Sequence, residues 1–247
     1  MTRRRRSPLL ATLTAGFVLV VVLAVSAGMS RATSGLVPAS GTNSDAAPGS
    51  DAAAAPAGTP GVDAAAALAE LESLDVVSGY SEGRYDRDLF GQRWADVDRN
   101  GCDTRNDILG RDLLDPVFKA GTNNCKVLSG LLIDPYDGAH VDFVSGLDTS
   151  VLVQIDHVVA LGWSWGHGAE YWTDDLRTQF ANDPRNLVAA SEDMNQEKSA
   201  AGPSEWLPPV PELRCTYVES FVDVLDAYDL GINSADKAAA AAVLEGC

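Results

Sequence analysis

Two short apolar runs, VLVQIDHVVAL and NLVAA, constrain this fold most, because the second leads straight into SEDMNQEKS. The first reads as a β-strand that runs into a loop at Asp156-His157. The second reads as another short strand, and Ser191 after it suits the N-cap of a helix carrying Met194 to Lys198. Strand, loop, strand and helix in that order form a ββα unit. It carries a carboxylate and an imidazole at the end of its first strand, amides at Asn186 and Asn195, and a cation at Lys198. These groups suffice to hold a divalent cation and to activate water against a phosphodiester.

The flanking segments supply further elements. Residues 62–77 (VDAAAALAELESLDVV) predict an amphipathic helix with Leu68, Leu71 and Leu74 on one face. NDILGRDLL suggests a short helix. VLSGLLIDPYDGAHVDFV alternates around the Asp134-Pro135-Tyr136-Asp137-Gly138 turn signal and predicts a hairpin. GAEYWTDDLRTQFAND predicts a helix with Trp172, Leu176 and Phe180 on one face. Two more helices are expected from Tyr217 to Tyr228 and from Ser234 to Leu244. The fold class is therefore α+β, with a ββα core, a hairpin and additional helices.

The N-terminus sets the domain plan. Arg3 to Arg6 precede an apolar stretch and small residues, so residues 1–27 read as an export signal cleaved after Ala27. An uncleaved anchor is the other reading, and only then would a membrane be involved. Residues 28–61 are rich in Ala, Gly, Ser and Pro and read as a flexible tether. Residues 62–78 form a helical lead-in, and 79–247 the folded domain. Export places the protein outside the cell, where its four cysteines would pair. Three pairings exist; ease of loop closure favours Cys102 with Cys125 and Cys215 with Cys247.

The formal net charge of −17 argues against tight, multi-phosphate binding of nucleic acid. Loss of Arg3 to Arg6 would make it more negative still. Hit-and-run cleavage survives the objection, because a small basic patch and a bound cation change the local field.

Several strings together, RWADVDRNGCDTRNDIL, DPYDG, IDHVVAL, FANDPRNLVAA, NQEKSA and PSEWLPP, resemble the HNH (ββα-metal) endonucleases. The resemblance is to the branch typified by the C-terminal nuclease domain of GmrSD-type restriction enzymes, found also in secreted actinobacterial proteins. It spans residues 84–209 and rests on motif order, since a lone Asp-His dipeptide means little. It implies metal-dependent cleavage of DNA, with RNA also open, and little sequence preference. His157 would be the general base, with Asp156 and Asn195 as ligands of one Mg²⁺ or Mn²⁺ ion. Asn186 would tie the loop together, and Lys198 would contact a phosphate oxygen. Arg185 and Arg177, and Arg105 at the cleft border, are weaker phosphate candidates. Asn195 stands where the family motif often has His, giving an H-N-N pattern that suits hard cations.

Taken singly, His157 would be a structural strand-end residue, the asparagines caps or turns, and Lys198 a solvated helix charge. His140 and His167 carry no such support and read as surface or loop residues. Asp96-Val97-Asp98-Arg99-Asn100-Gly101 resembles the opening of an EF-hand loop, which implies a structural Ca²⁺ on Asp96, Asp98 and Asn100. Asp107 stands at the twelfth position, where Glu is usual, and a tight polar turn is the favoured reading. The five tryptophans are assigned chiefly to packing, with Trp163 and Trp165 as cleft walls. No obligate protein partner is evident. The competing function is a noncatalytic exported binding module on a nuclease-like scaffold, calcium-stabilised in one version.

Overall fold

The computed structural model describes residues 63–247, so the expected export signal and tether lie outside the described residues. The chain is α+β, and the two sheets among the described residues are both antiparallel. A three-stranded meander runs through β1 (Leu114–Phe118), β2 (Val127–Ile133) and β3 (His140–Val144). A separate pair joins β4 (Val153–His157) to β5 (Leu187–Ser191), with Asp156 opposite Val188 and His157 opposite Leu187.

The β4–β5 pair is a wall between two apolar cores. Val153, Ile155, Leu187 and Ala189 pack with Ile108, Leu109, Val127, Leu132 and Phe143, on the side of the meander. Val188 and Ala190 pack on the other side with the large aromatic core. β5 is apolar on both faces and so loses the usual alternation, whereas β4 alternates Val153 and Ile155 with the polar Gln154 and Asp156.

Helices close the two cores. α1 (Ala64–Ser73) is capped by Asp63 and buries Ala67 and Leu71 against α6 (Arg214–Ala227) and α7 (Ser234–Leu244). It is shorter than residues 62–77, because the chain turns extended at Leu74 and Val76 bridges to Ile232. α2 (Thr104–Asp112) packs on β5, and its last two residues clamp that strand. Arg111 donates to the Pro184 and Leu187 carbonyls, and Asp112 accepts from Ala189 N at 2.8 Å. The segment after β4 forms α3 (Leu161–Gly166), which the sequence did not announce. α4 (Asp174–Asn182) starts later than expected, because Thr173 caps it by accepting from Leu176 N. Trp172 therefore precedes the helix, yet its ring still meets Phe180 edge-on at 5.1 Å.

The hairpin appears between β2 and β3, and its turn is built by Asp134. Oδ1 accepts from Tyr136 N at 2.7 Å, Oδ2 accepts from Ser191 N at 2.6 Å, and Gly138 supplies a left-handed φ of 73°. The buried Asp134 thus docks the turn on the end of β5. β1 was not foreseen. Pro116 lies in it, Asp115 has a φ of 48°, and the register shifts twice, features tolerated on an edge strand. Both cystine pairs form as loop closure favoured, Cys102–Cys125 and Cys215–Cys247.

Candidate active site

α5 (Glu192–Lys198) follows β5 directly, with Ser191 Oγ accepting from Met194 N at its start. It packs on both β4 and β5. Residues on a strand alternate between faces, so Gln154 and Asp156 face α5 while His157 leaves from the other side.

Asp156 is buried and its carboxylate is fully engaged. Tyr136 Oη donates to Oδ2 at 2.7 Å. Lys198 Nζ lies 3.0 Å from Oδ2 and 3.3 Å from Oδ1, and donates to the His157 carbonyl at 2.7 Å. The Lys198 ammonium thus bonds the Asp156 carboxylate and the His157 carbonyl, and its side chain has no solvent exposure. The expected contact from Lys198 to a phosphate oxygen is not available in this arrangement, because the cation neutralises Asp156 instead. Tyr136 was missed as part of this group. Burial, then the Asp156 carboxylate, push its phenol well above the ordinary range and keep it a donor.

His157 is held from the α4 side. Its Nε2–H donates to the Ala181 carbonyl at 3.0 Å, which leaves Nδ1 as an acceptor. Burial lowers the imidazole from 6.5 to about 4, against the pull of the Ala181 carbonyl and Asp156, while Arg87 and Lys198 add to the lowering. The ring is therefore neutral at physiological pH.

Asn186 is fully buried and stitches the loop after β4. Its Oδ1 accepts from Val159 N at 2.8 Å and its Nδ2 donates to Val159 O at 3.2 Å, while its carbonyl accepts from Val158 N. Asp183 starts the 3₁₀ turn at Pro184–Asn186 by accepting from Arg185 N, and Tyr228 Oη donates to the same carboxylate at 2.6 Å. Asn186 thus ties two chain segments together and does not face solvent.

Asn195 is half-buried on α5 and donates from Nδ2 to Gln154 Oε1 at 2.6 Å, two residues before Asp156 on the same face. Asp156 and Asn195 therefore share one seam between β4 and α5. Their oxygens fit a hard cation in donor type. Among the described residues no group of three or more His, Cys, Asp or Glu could hold a metal ion, so water would have to complete any shell here.

Two of the arginines expected at substrate turn inward. Arg177 is buried, donates from Nε to Leu89 O and from Nη1 to Trp172 O, and pairs with Asp174. Arg105 donates from Nη2 to the Ser150 and Val153 carbonyls. Both spend their donors on backbone carbonyls of neighbouring segments. Arg185 is exposed and pairs with Asp223 at 3.1 Å beside a cleft of about 480 Å³ that also touches Tyr136 and Tyr217.

The loop at Asp96, Asp98 and Asn100 closes on itself as a polar turn. Asp96 accepts from the backbone N–H of Asn100 and Gly101, and the Asn100 amide donates to Asp98 and Asp107. Asp96, Asp98 and Asp107 all border this turn, but among the described residues no group of three or more His, Cys, Asp or Glu is placed to hold a metal ion. His140 is exposed, whereas His167 sits in the turn after α3 and is buried there. It stacks on Trp163 at 3.5 Å, donates from Nδ1 to Trp163 O and accepts at Nε2 from Asn233. Trp163 and Trp165 are buried too, their indole N–H groups spent on Asp236 and Gly83 O.

Residues 103–241 match the family model described as GmrSD restriction endonucleases, C-terminal domain. The chain is also 36% identical over 184 residues to an uncharacterized secreted protein of Arthroderma benhamiae, covering 72% of this chain and 82% of that protein. No solved structure matches the chain.

Proposed function

This chain belongs to the family of GmrSD restriction endonuclease C-terminal domains, and we propose that it is a secreted, metal-dependent HNH endonuclease of low sequence specificity. The observation that carries the reading is the His157 tautomer. Nε2 is committed to the Ala181 carbonyl, so Nδ1 offers a lone pair to water from a neutral ring. His157 Nδ1 takes a proton from water, the water oxygen bonds to phosphorus, and one ester oxygen leaves with its electron pair. Asn186 keeps the base in place by stitching the loop to Val159.

Asp156 and Asn195 would hold Mg²⁺ or Mn²⁺, which when bound supplies positive charge to the phosphate and the departing oxygen. Because Asp156 and His157 leave opposite faces of β4, the strand to be cut lies across the end of β4. The net charge of −17 keeps the hold on nucleic acid weak and turnover transient. DNA is the first substrate to test, and RNA the second, since attack by water does not require a 2′-hydroxyl. Export is supported by the secreted relative and by the two disulfides. Among the described residues no helix is long and apolar enough to cross a membrane.

One observation favours a second reading. The internal Lys198–Asp156 pair occupies the carboxylate that a cation would need, as in a noncatalytic exported module on a nuclease-like scaffold. Purified protein incubated with plasmid DNA, and in parallel with RNA, separates the two. Nicking that requires Mg²⁺ or Mn²⁺, stops with EDTA and is lost in His157→Ala supports the nuclease. Nicking that survives His157→Ala rejects the base assignment, and no nicking with any divalent metal supports the binding module.

A further inference from the structure

Arg87 opens a 3₁₀ turn, Arg87–Phe90, that is pinned to the same helix as the His157 ring. Phe90 meets Phe180 of α4 at 6.4 Å between centroids, and Arg177 of α4 donates to the Leu89 carbonyl at 3.0 Å. The next residue after Phe180 is Ala181, whose carbonyl fixes the imidazole. Arg87 and His157 thus share one support, the segment of α4 from Arg177 to Ala181.

The Arg87 side chain is oddly placed for a structural residue. Its Nη1 is buried and has no hydrogen-bond partner. Among the described residues neither Arg87 nor Arg93 enters an ion pair, although the two guanidiniums repel each other, with only Tyr85 and Asp88 opposing. The chain has 35 acidic residues available to pair with them. Enclosing an unbonded cationic N–H beside a like charge is unfavourable unless an acceptor arrives from outside. A planar fork of donors suits an oxyanion with two terminal oxygens, which is what a phosphodiester presents.

We propose that Arg87, with Arg93 beside it, forms the anion-binding arm of this site and holds a non-bridging phosphate oxygen of the strand next to His157. The arm rests on the nuclease reading for its substrate class. It also explains how an acidic chain engages a polyanion at one spot, with charges that the fold does not neutralise.

The test is binding without turnover. A fluorescein-labelled DNA duplex is titrated in EDTA across a NaCl series, with anisotropy as the readout and melting temperature as the folding control. Arg87→Met should weaken binding about ten- to a hundredfold and lower the salt slope by about one. Arg87→Lys should recover the slope but only part of the affinity, since the fork is lost. Lys119→Ala, which removes an exposed charge in the loop after β1, should bind like the wild type. Should Arg87→Met fail to fold, Arg87→Lys decides alone, and unchanged affinity in it overturns the arm. Wild-type affinity and slope in Arg87→Met overturn it as well, as does a wild type that binds no duplex. A wild type that never nicks plasmid but loses duplex binding in Arg87→Met keeps the arm and rejects the nuclease.

Discussion

The Lys198 ammonium lies 3.0 Å from Asp156 Oδ2, with neither side chain appreciably exposed. Removing one partner strands the other charge in a low-dielectric seam. Lys198→Met should destabilise the protein by about 3–5 kcal/mol. Urea denaturation measures this, and Lys198→Met with Asp156→Asn should be more stable than Lys198→Met alone. Equal stability of wild type and Lys198→Met would show that the pair does not carry the β4–α5 seam.

Asn186 makes two side-chain bonds to Val159, one as acceptor and one as donor. Asn186→Asp keeps the acceptor but places carboxylate oxygen against the Val159 carbonyl. It should cost about 1–3 kcal/mol, and activity should fall further than the loss of folded protein explains, because the His157 loop is no longer fixed. Comparing kcat with the melting temperature at a permissive temperature checks this. Unchanged kcat with a lowered melting temperature would assign Asn186 to stability alone.

The strand, strand, helix order was legible because β4 carries an apolar face ending at Asp156-His157, β5 is apolar on both faces, and Ser191 marks the start of α5. The packing of the Asn195 helix on β4 followed from that order. What each cation does was not legible. Arg177, Arg105 and Lys198 all read as phosphate candidates, yet their donors go to backbone carbonyls and a buried carboxylate. Spacing along a helix says which face a residue shares and nothing about the acceptors across from it. Tyr136 was visible only as part of a turn, since its partner Asp156 comes from a distant strand. β1 stayed hidden behind Pro116 and a left-handed Asp115. Arg87 lay in a charge-dense stretch where no pattern distinguishes an unpaired guanidinium from a paired one.

The Cys215–Cys247 bridge, with a sequence separation of 32, ties the start of α6 to the chain end beyond α7. Its main effect is to restrict the unfolded chain, worth about 3–4 kcal/mol for a loop of this length in the chain-entropy model. Cys215→Ser with Cys247→Ser should therefore lower the denaturation midpoint clearly. α7 holds α1 in place, so hydrogen exchange should speed up first in those two helices. Exchange that rises uniformly over the domain would contradict this local effect.

Acid should act through His157, and the sign follows from its two protonation states. In the folded chain burial holds the imidazole down at about 4, whereas the unfolded chain takes a proton near 6.5. Unfolding thus gains a proton once the pH drops below about 6.5. The stability tied to the neutral ring is complete above that value and is lost progressively towards pH 4. For a half-buried ring the loss is about 2–3 kcal/mol. His167, also lowered by burial, contributes in the same direction. Urea midpoints measured from pH 7.5 to 4.5 should fall for the wild type and fall less for His157→Gln. If the site works as proposed, kcat/KM should hold its value well below pH 6.5 before the acid limb begins, since the base stays unprotonated. An acid limb centred on 6.5, with urea midpoints that do not change over this range, would mean that the imidazole is open to solvent and that Ala181 does not fix it.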